Sequence, residues 1–124
     1  MNNRELQDKA HAMALGKGWW EGEGLSPNSL GAKLAMVHSE VSEAVACVRD
    51  GELGLYWTWG GIIDRDPDTR HPTAKPEGLP IELADIVLRV ADLAGRLGID
   101  LQDAIAQKMA YNKTRPHRHG GKRL

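Results

Sequence analysis

The chain has 124 residues and a mass of 13.6 kDa, enough for one domain and short for two, so residues 1–124 are read as a single unit. At 41% hydrophobic and 27% charged it has the composition of an ordinary soluble globular protein, with no Phe, so that aliphatic side chains must supply most of the core. A net charge of −1 argues against a dedicated nucleic-acid binder, and the single cysteine, Cys47, excludes an internal disulfide or a cysteine-based zinc site. No apolar run approaches the roughly 18 residues of a membrane span, and the N-terminus shows no apolar signal region, so a cytoplasmic protein without membrane contact is expected. The near-neutral charge hides an asymmetry. Residues 108–124 hold six basic and no acidic residues, leaving 10 basic against 17 acidic, a net of −7, in the rest.

Four helical stretches are predicted, separated by Gly- and Pro-rich segments. The first covers about 3–15 and ends at Gly16 and Gly18. The second runs from about 28 to 50, with Ser26 as cap, Pro27 in the first turn and Gly51 beyond the end. Residues 52–79 contain too many Gly, Pro and Asp for a helix. The runs Tyr56–Trp59 and Gly61–Ile63 suit short strands of a hairpin, and a 28-residue connection of this kind is often functional. The third helix, about 80–97, opens with Pro80 and stops at Gly98. The fourth follows the capping residue Asp100 and runs to about 115, before Pro116. The expected fold is therefore all-α, a four-helix bundle with an irregular, hairpin-containing insertion at 52–79, whose helices need a partner subunit to finish burying their apolar faces.

Two carboxylate pairs carry the chemistry. Glu40 and Glu43 on the second helix, and Glu82 and Asp85 on the third, are each spaced i,i+3, so each pair shares one helical face. Four convergent carboxylates repel one another unless cations intervene, and an all-oxygen ligand set favours Mg²⁺ or Mn²⁺. A di-iron bundle would carry Glu-x-x-His instead, and His38 lies on the wrong face. The third helix also fits a second reading: Glu82, Asp85, Arg89, Asp92 and Arg96 form a stripe typical of a solvated, salt-bridged surface, with Asp92 pairing to Arg89 and Arg96. The second helix fits that reading less well, because Leu34, Val37, Val41, Ala44, Val45 and Val48 cluster beside Glu40.

On the fourth helix, Lys108, Asn112 and Arg115 share a face at i, i+4 and i+7, an arrangement suited to phosphate oxygens. The segments KLAMVHSEVSEAV, PIELADIVLRVADLAG and GIDLQDAIAQKMAYNKTRPHRHGGK together resemble the MazG-like nucleoside triphosphate pyrophosphohydrolases of the all-α NTP pyrophosphatase superfamily. The resemblance covers roughly residues 28–50 and 79–122. It implies cleavage of a (deoxy)nucleoside triphosphate between the α and β phosphates, giving a monophosphate and pyrophosphate in nucleotide-pool house-cleaning. It assigns Glu40, Glu43, Glu82 and Asp85 to Mg²⁺ (or Mn²⁺), and Lys108, Asn112 and Arg115, with Lys113 and Lys122, to phosphate. It also implies a homodimer or homotetramer.

The two acidic pairs are separated by 38 residues, more than in compact members of that family, so the 52–79 insertion has no family equivalent. Trp57 and Trp59 within it suit base stacking or the covering of an apolar patch, and Trp19 and Trp20 suit a pocket mouth or the core. In the expected mechanism one carboxylate, Glu43 or Glu40, accepts the proton of the attacking water. Two alternatives stay open: a phosphohydrolase acting on a phosphoribosyl nucleotide, and a non-catalytic helical interaction module.

Overall fold

The computed structural model describes residues 1–117. Four helices, α1 (Asn3–Gly16), α2 (Pro27–Arg49), α3 (Leu79–Leu97) and α4 (Leu101–Thr114), account for most of the fold. Their starts follow the expected chemistry. Asn2, Ser26 and Asp100 accept hydrogen bonds from the backbone N–H of Glu5, Ser29 and Asp103, and Pro27 and Pro80 sit in first turns where no N–H partner is needed. Gly98, in the left-handed region at φ 67°, ends α3. Among the described residues no helix is long and apolar enough to cross a membrane.

The insertion is more ordered than its composition suggests. Strands β1 (Tyr56–Trp59), β2 (Ile62–Asp64) and β3 (Lys75–Glu77) form an antiparallel sheet in the order β2-β1-β3. Gly60 and Gly61, both at positive φ, make the two-residue turn that joins β1 to β2. The hairpin is the expected one, whereas β3 is an addition to the all-α expectation. Its Pro76 cannot donate to a ladder and is tolerated because the strand lies at the sheet edge, opposite Trp57.

Helix α3 is central, packing on α1 and α2, while α4 rests on α1. The α1–α3 seam is built from small residues: Ala10, Ala14, Ala91 and Ala94 are buried, and a Cβ at Gly95 would come within 2.7 Å of His11 Cβ. Such side chains let two helices approach closely but bury little apolar area. Among the described residues no large side chain is fully buried, and the rest of the buried apolar set is Trp20, Ala44, Trp57 and Ala74.

Most of the apolar cluster of α2 is left uncovered within one chain. Leu34, Val41, Val45 and Val48 are exposed, while Glu40 and Ala44 are buried. On α3 the arrangement is similarly inverted. Glu82, Asp85, Arg89, Asp92 and Arg96 are half-buried, whereas Leu83, Val87, Val90 and Leu97 form an exposed stripe at near-heptad spacing. The reading of the charged stripe as a freely solvated face is therefore corrected: it turns toward neighbouring elements, which hold several of its members by ion pairs and cation–π contacts.

Candidate functional site

The charged stripe of α3 meets α2 at the carboxylates. Ligand oxygens of Glu40, Glu82 and Asp85 all lie within 4.8 Å of one another. Glu40, only 8% exposed, is the one buried charged residue among the described residues. Burial of that kind requires a partner, and Arg89 supplies it: its Nε donates to Glu40 Oε1 at 2.7 Å across the α2–α3 contact. This partner replaces the expected one, since Arg89 had been assigned to Asp92.

Glu82 has no such relief. Its Oε2 is buried without a hydrogen-bond donor. Burial first, then the neighbouring Glu43 carboxylate, push its pKa up to about 7. Burial and the Glu40 charge likewise raise Asp85, opposed by Arg89 and by Lys75 from β3. The sheet thus carries a cation toward the site that the sequence reading had not assigned to it. Glu43 is exposed and stands outside the close trio, although its charge bears on both α3 carboxylates. Burial and then Glu82 raise the Cys47 thiol above its ordinary value.

Two cavities flank this group. A small one of about 130 Å³ is lined by Trp19, Glu40, Asp85, Leu88 and Arg89 among others. A larger one of about 540 Å³ is lined by Trp19, Trp20, Lys33, Met36, Arg89 and Asp92, with Glu23, Ala32 and Leu93 completing it. Trp19 and Arg89 line both. Trp20 is buried and fixed: its indole N–H donates to Asp92 Oδ1 at 3.0 Å, and His11 Nδ1 lies 2.8 Å from the same oxygen. Asp92 therefore ties α1 and the following turn to α3, rather than pairing with Arg89 and Arg96 as expected. Arg96 instead lies over the Trp20 ring, 5.1 Å from its centroid. Trp19 is 53% exposed and has no ring contact among the described residues.

The phosphate candidates form a separate cluster. Lys108, Asn112 and Arg115 line one cavity of about 340 Å³ with Pro116, as their spacing predicts. Lys113 is exposed and outside that lining, and Lys122 lies outside the described residues. No described residue lines both this cavity and the two beside the carboxylates. Trp57 and Trp59 line a third region with Asp64, Thr69 and His71, which includes none of the four carboxylates. Trp57 is buried, with Arg70 over its ring, and Trp59 stacks on His71 at 3.8 Å.

Arg89 and Lys75 are the site neighbours that the sequence reading missed, whereas Trp19 lines both cavities, in keeping with the pocket-mouth reading. The i+4 spacing from Asp85 to Arg89 was visible, but only the inward turn of the stripe distinguishes a site cation from a surface ion pair. No protein-family model, curated protein or solved structure matches the chain.

Proposed function

We propose that the chain is a divalent-metal-dependent nucleoside triphosphate pyrophosphohydrolase, acting on (deoxy)nucleoside triphosphates in the manner of the MazG-like enzymes that its motifs resemble. The observations that carry the reading are the convergence of Glu40, Glu82 and Asp85, with ligand oxygens within 4.8 Å of one another, and the buried Glu82 Oε2 that has no donor. Three carboxylates within reach of one point, one with an orphaned oxygen, fit a hard cation such as Mg²⁺ or Mn²⁺. When bound, that cation supplies Lewis-acid stabilisation of phosphate charge.

The remaining steps belong to the chain. Glu40, Glu82 and Asp85 would hold the cation, and Glu43, the carboxylate left outside the trio, would accept the proton of the attacking water. The water oxygen bonds to the α-phosphorus, the bond from that phosphorus to the α,β-bridging oxygen breaks, and pyrophosphate leaves with the electron pair. The products are a nucleoside monophosphate and pyrophosphate. The 540 Å³ cavity has room for a nucleobase, and the open indole of Trp19 offers it a stacking surface beside the carboxylates. Lys108, Asn112 and Arg115, which within one chain line a cavity apart from the carboxylates, are the phosphate contacts that the resemblance implies. Assembly as a homodimer or homotetramer is supported by the exposed apolar stripes of α2 and α3, which one chain leaves uncovered.

Incubation with Mg²⁺ or Mn²⁺ and a panel of nucleoside triphosphates, deoxynucleoside triphosphates and phosphoribosyl nucleotides tests the reading. Monophosphate plus pyrophosphate from a triphosphate is expected, and Glu40→Gln should abolish it. Turnover of a phosphoribosyl nucleotide alone would reassign the substrate, and no turnover of any nucleotide would leave a non-catalytic interaction module.

A further inference from the structure

Arg89 does more than neutralise Glu40. It lies one turn after Asp85 on α3 and reaches α2 through Nε alone, in a single 2.7 Å hydrogen bond. Neither terminal nitrogen has a hydrogen-bond partner among the described residues. The side chain stays 33% exposed although that of Glu40 is 11% exposed. A guanidinium carries five N–H donors in a fixed fork, so one is engaged and the rest of the fork is left for a ligand. Its position adds the second part of the argument. Arg89 and Trp19 are the two residues common to the cavity holding Glu40 and Asp85 and to the larger cavity beside Trp20 and Lys33. A molecule with an aromatic ring in the larger cavity and an anionic chain at Glu40 and Asp85 would lie against Arg89 and Trp19.

We propose that Arg89 is a substrate-contacting residue, binding the phosphate chain of the nucleotide through its terminal nitrogens while its Nε holds Glu40 in orientation. This role rests on the pyrophosphohydrolase reading and specifies how substrate lies in that site: base toward Trp19, phosphates toward Glu82 and Asp85, and Arg89 at the crossing. Arginine suits both tasks at once. The ammonium of a lysine is one compact charge that can offset Glu40 but has no planar fork to serve a carboxylate and a phosphate together.

Arg89→Lys tests the role with two probes besides turnover: Mn²⁺ alone, followed by electron paramagnetic resonance, and tripolyphosphate with Mn²⁺, followed by calorimetry. Tripolyphosphate has no base or sugar, so it reports the phosphate contact directly. The variant should keep its Mn²⁺ affinity to within less than the about tenfold loss that removing an outer partner of a metal ligand causes. That retained affinity also shows that the carboxylate site is folded. Its affinity for tripolyphosphate, and kcat/KM for whichever triphosphate the wild type cleaves, should fall by about tenfold to a hundredfold, as expected for a lost charge-assisted hydrogen bond. Wild-type affinity for tripolyphosphate in the variant would overturn the proposal, and so would equal losses for Mn²⁺ and tripolyphosphate, which would make Arg89 a support for Glu40 only. A wild-type protein that binds no tripolyphosphate with Mn²⁺ and cleaves no nucleotide would overturn the underlying hydrolase reading as well, an outcome distinct from the other two.

Discussion

Glu82 offers a measurement of the site that needs no substrate. Its pKa stands at about 7 in the fold against an ordinary 4.5, through burial and the neighbouring Glu43. The folded protein therefore binds the Glu82 proton more tightly than the unfolded chain does, so stability falls as pH rises from 4.5 through 7. At 1.36 kcal/mol per pKa unit the loss is about 3 kcal/mol, and about 2 kcal/mol after allowance for the partial exposure of the side chain. Glu82→Gln replaces the carboxyl by a neutral amide of the same shape and removes this titration. In EDTA, at fixed protein concentration, urea unfolding should show the two proteins equally stable near pH 4.5. At pH 8 the variant should be the more stable by about 2 kcal/mol, a midpoint shift of about 1 M. Mg²⁺ at pH 8 should then stabilise the wild type and leave the variant nearly unchanged. A difference between the two proteins that stays constant from pH 4.5 to 8, or a variant that is less stable at pH 8, would refute the picture of an electrostatically frustrated carboxylate.

Three further outcomes follow from the packing. Gly95→Ala places a Cβ within 2.7 Å of His11 Cβ in the α1–α3 seam and should lower stability by about 1–3 kcal/mol in thermal unfolding, despite the better helix propensity of alanine. Asp92→Asn removes the charged acceptor shared by His11 and the Trp20 indole and should cost about 1–3 kcal/mol, with a change in Trp emission that an unaltered spectrum would contradict. Val45→Glu combined with Val87→Glu puts charge into both exposed apolar stripes and should yield a folded monomer in sedimentation, whereas an unchanged mass would show that these stripes are not the contact between copies.

Much of the helical frame was legible from local chemistry alone. Ser26, Asp100 and Gly98 act where their side chains or backbone conformation allow, because caps depend on neighbours a few residues away. The hairpin was legible for the same reason, with two glycines between β-prone runs. The third strand was not. Lys75-Pro76-Glu77 has neither alternation nor β-branched residues, and it pairs only because β1 offers it an edge. The direction in which the α3 stripe faces was likewise hidden. Charges at i,i+3 and i,i+4 look the same whether they face water or a buried Glu40, and only the arrival of α2 decides between them. The four carboxylates were identifiable by spacing, but the separation of Glu43 from the close trio depends on the relative placement of two helices, which helical periodicity does not contain.

The two ends of the insertion meet. Leu79 N donates to Glu52 O at 3.0 Å, Gly78 lies so close to the Gly54 carbonyl that a Cβ there would overlap it, and Arg65 clasps Glu52 through both terminal nitrogens at 3.0 and 3.2 Å. The chain thus leaves α2 and enters α3 through one neck, with the sheet hanging from it. Because the neck sets where α3 starts, the register of Glu82 and Asp85 against Glu40 is insulated from the length of chain beyond it. Loop-closure entropy changes by only about 0.6 kcal/mol for each doubling of a flexible loop. The β1–β2 hairpin can therefore be regarded as an appendage, free to lengthen, shrink or acquire new surface chemistry while Lys75 of β3 and the carboxylates keep their places.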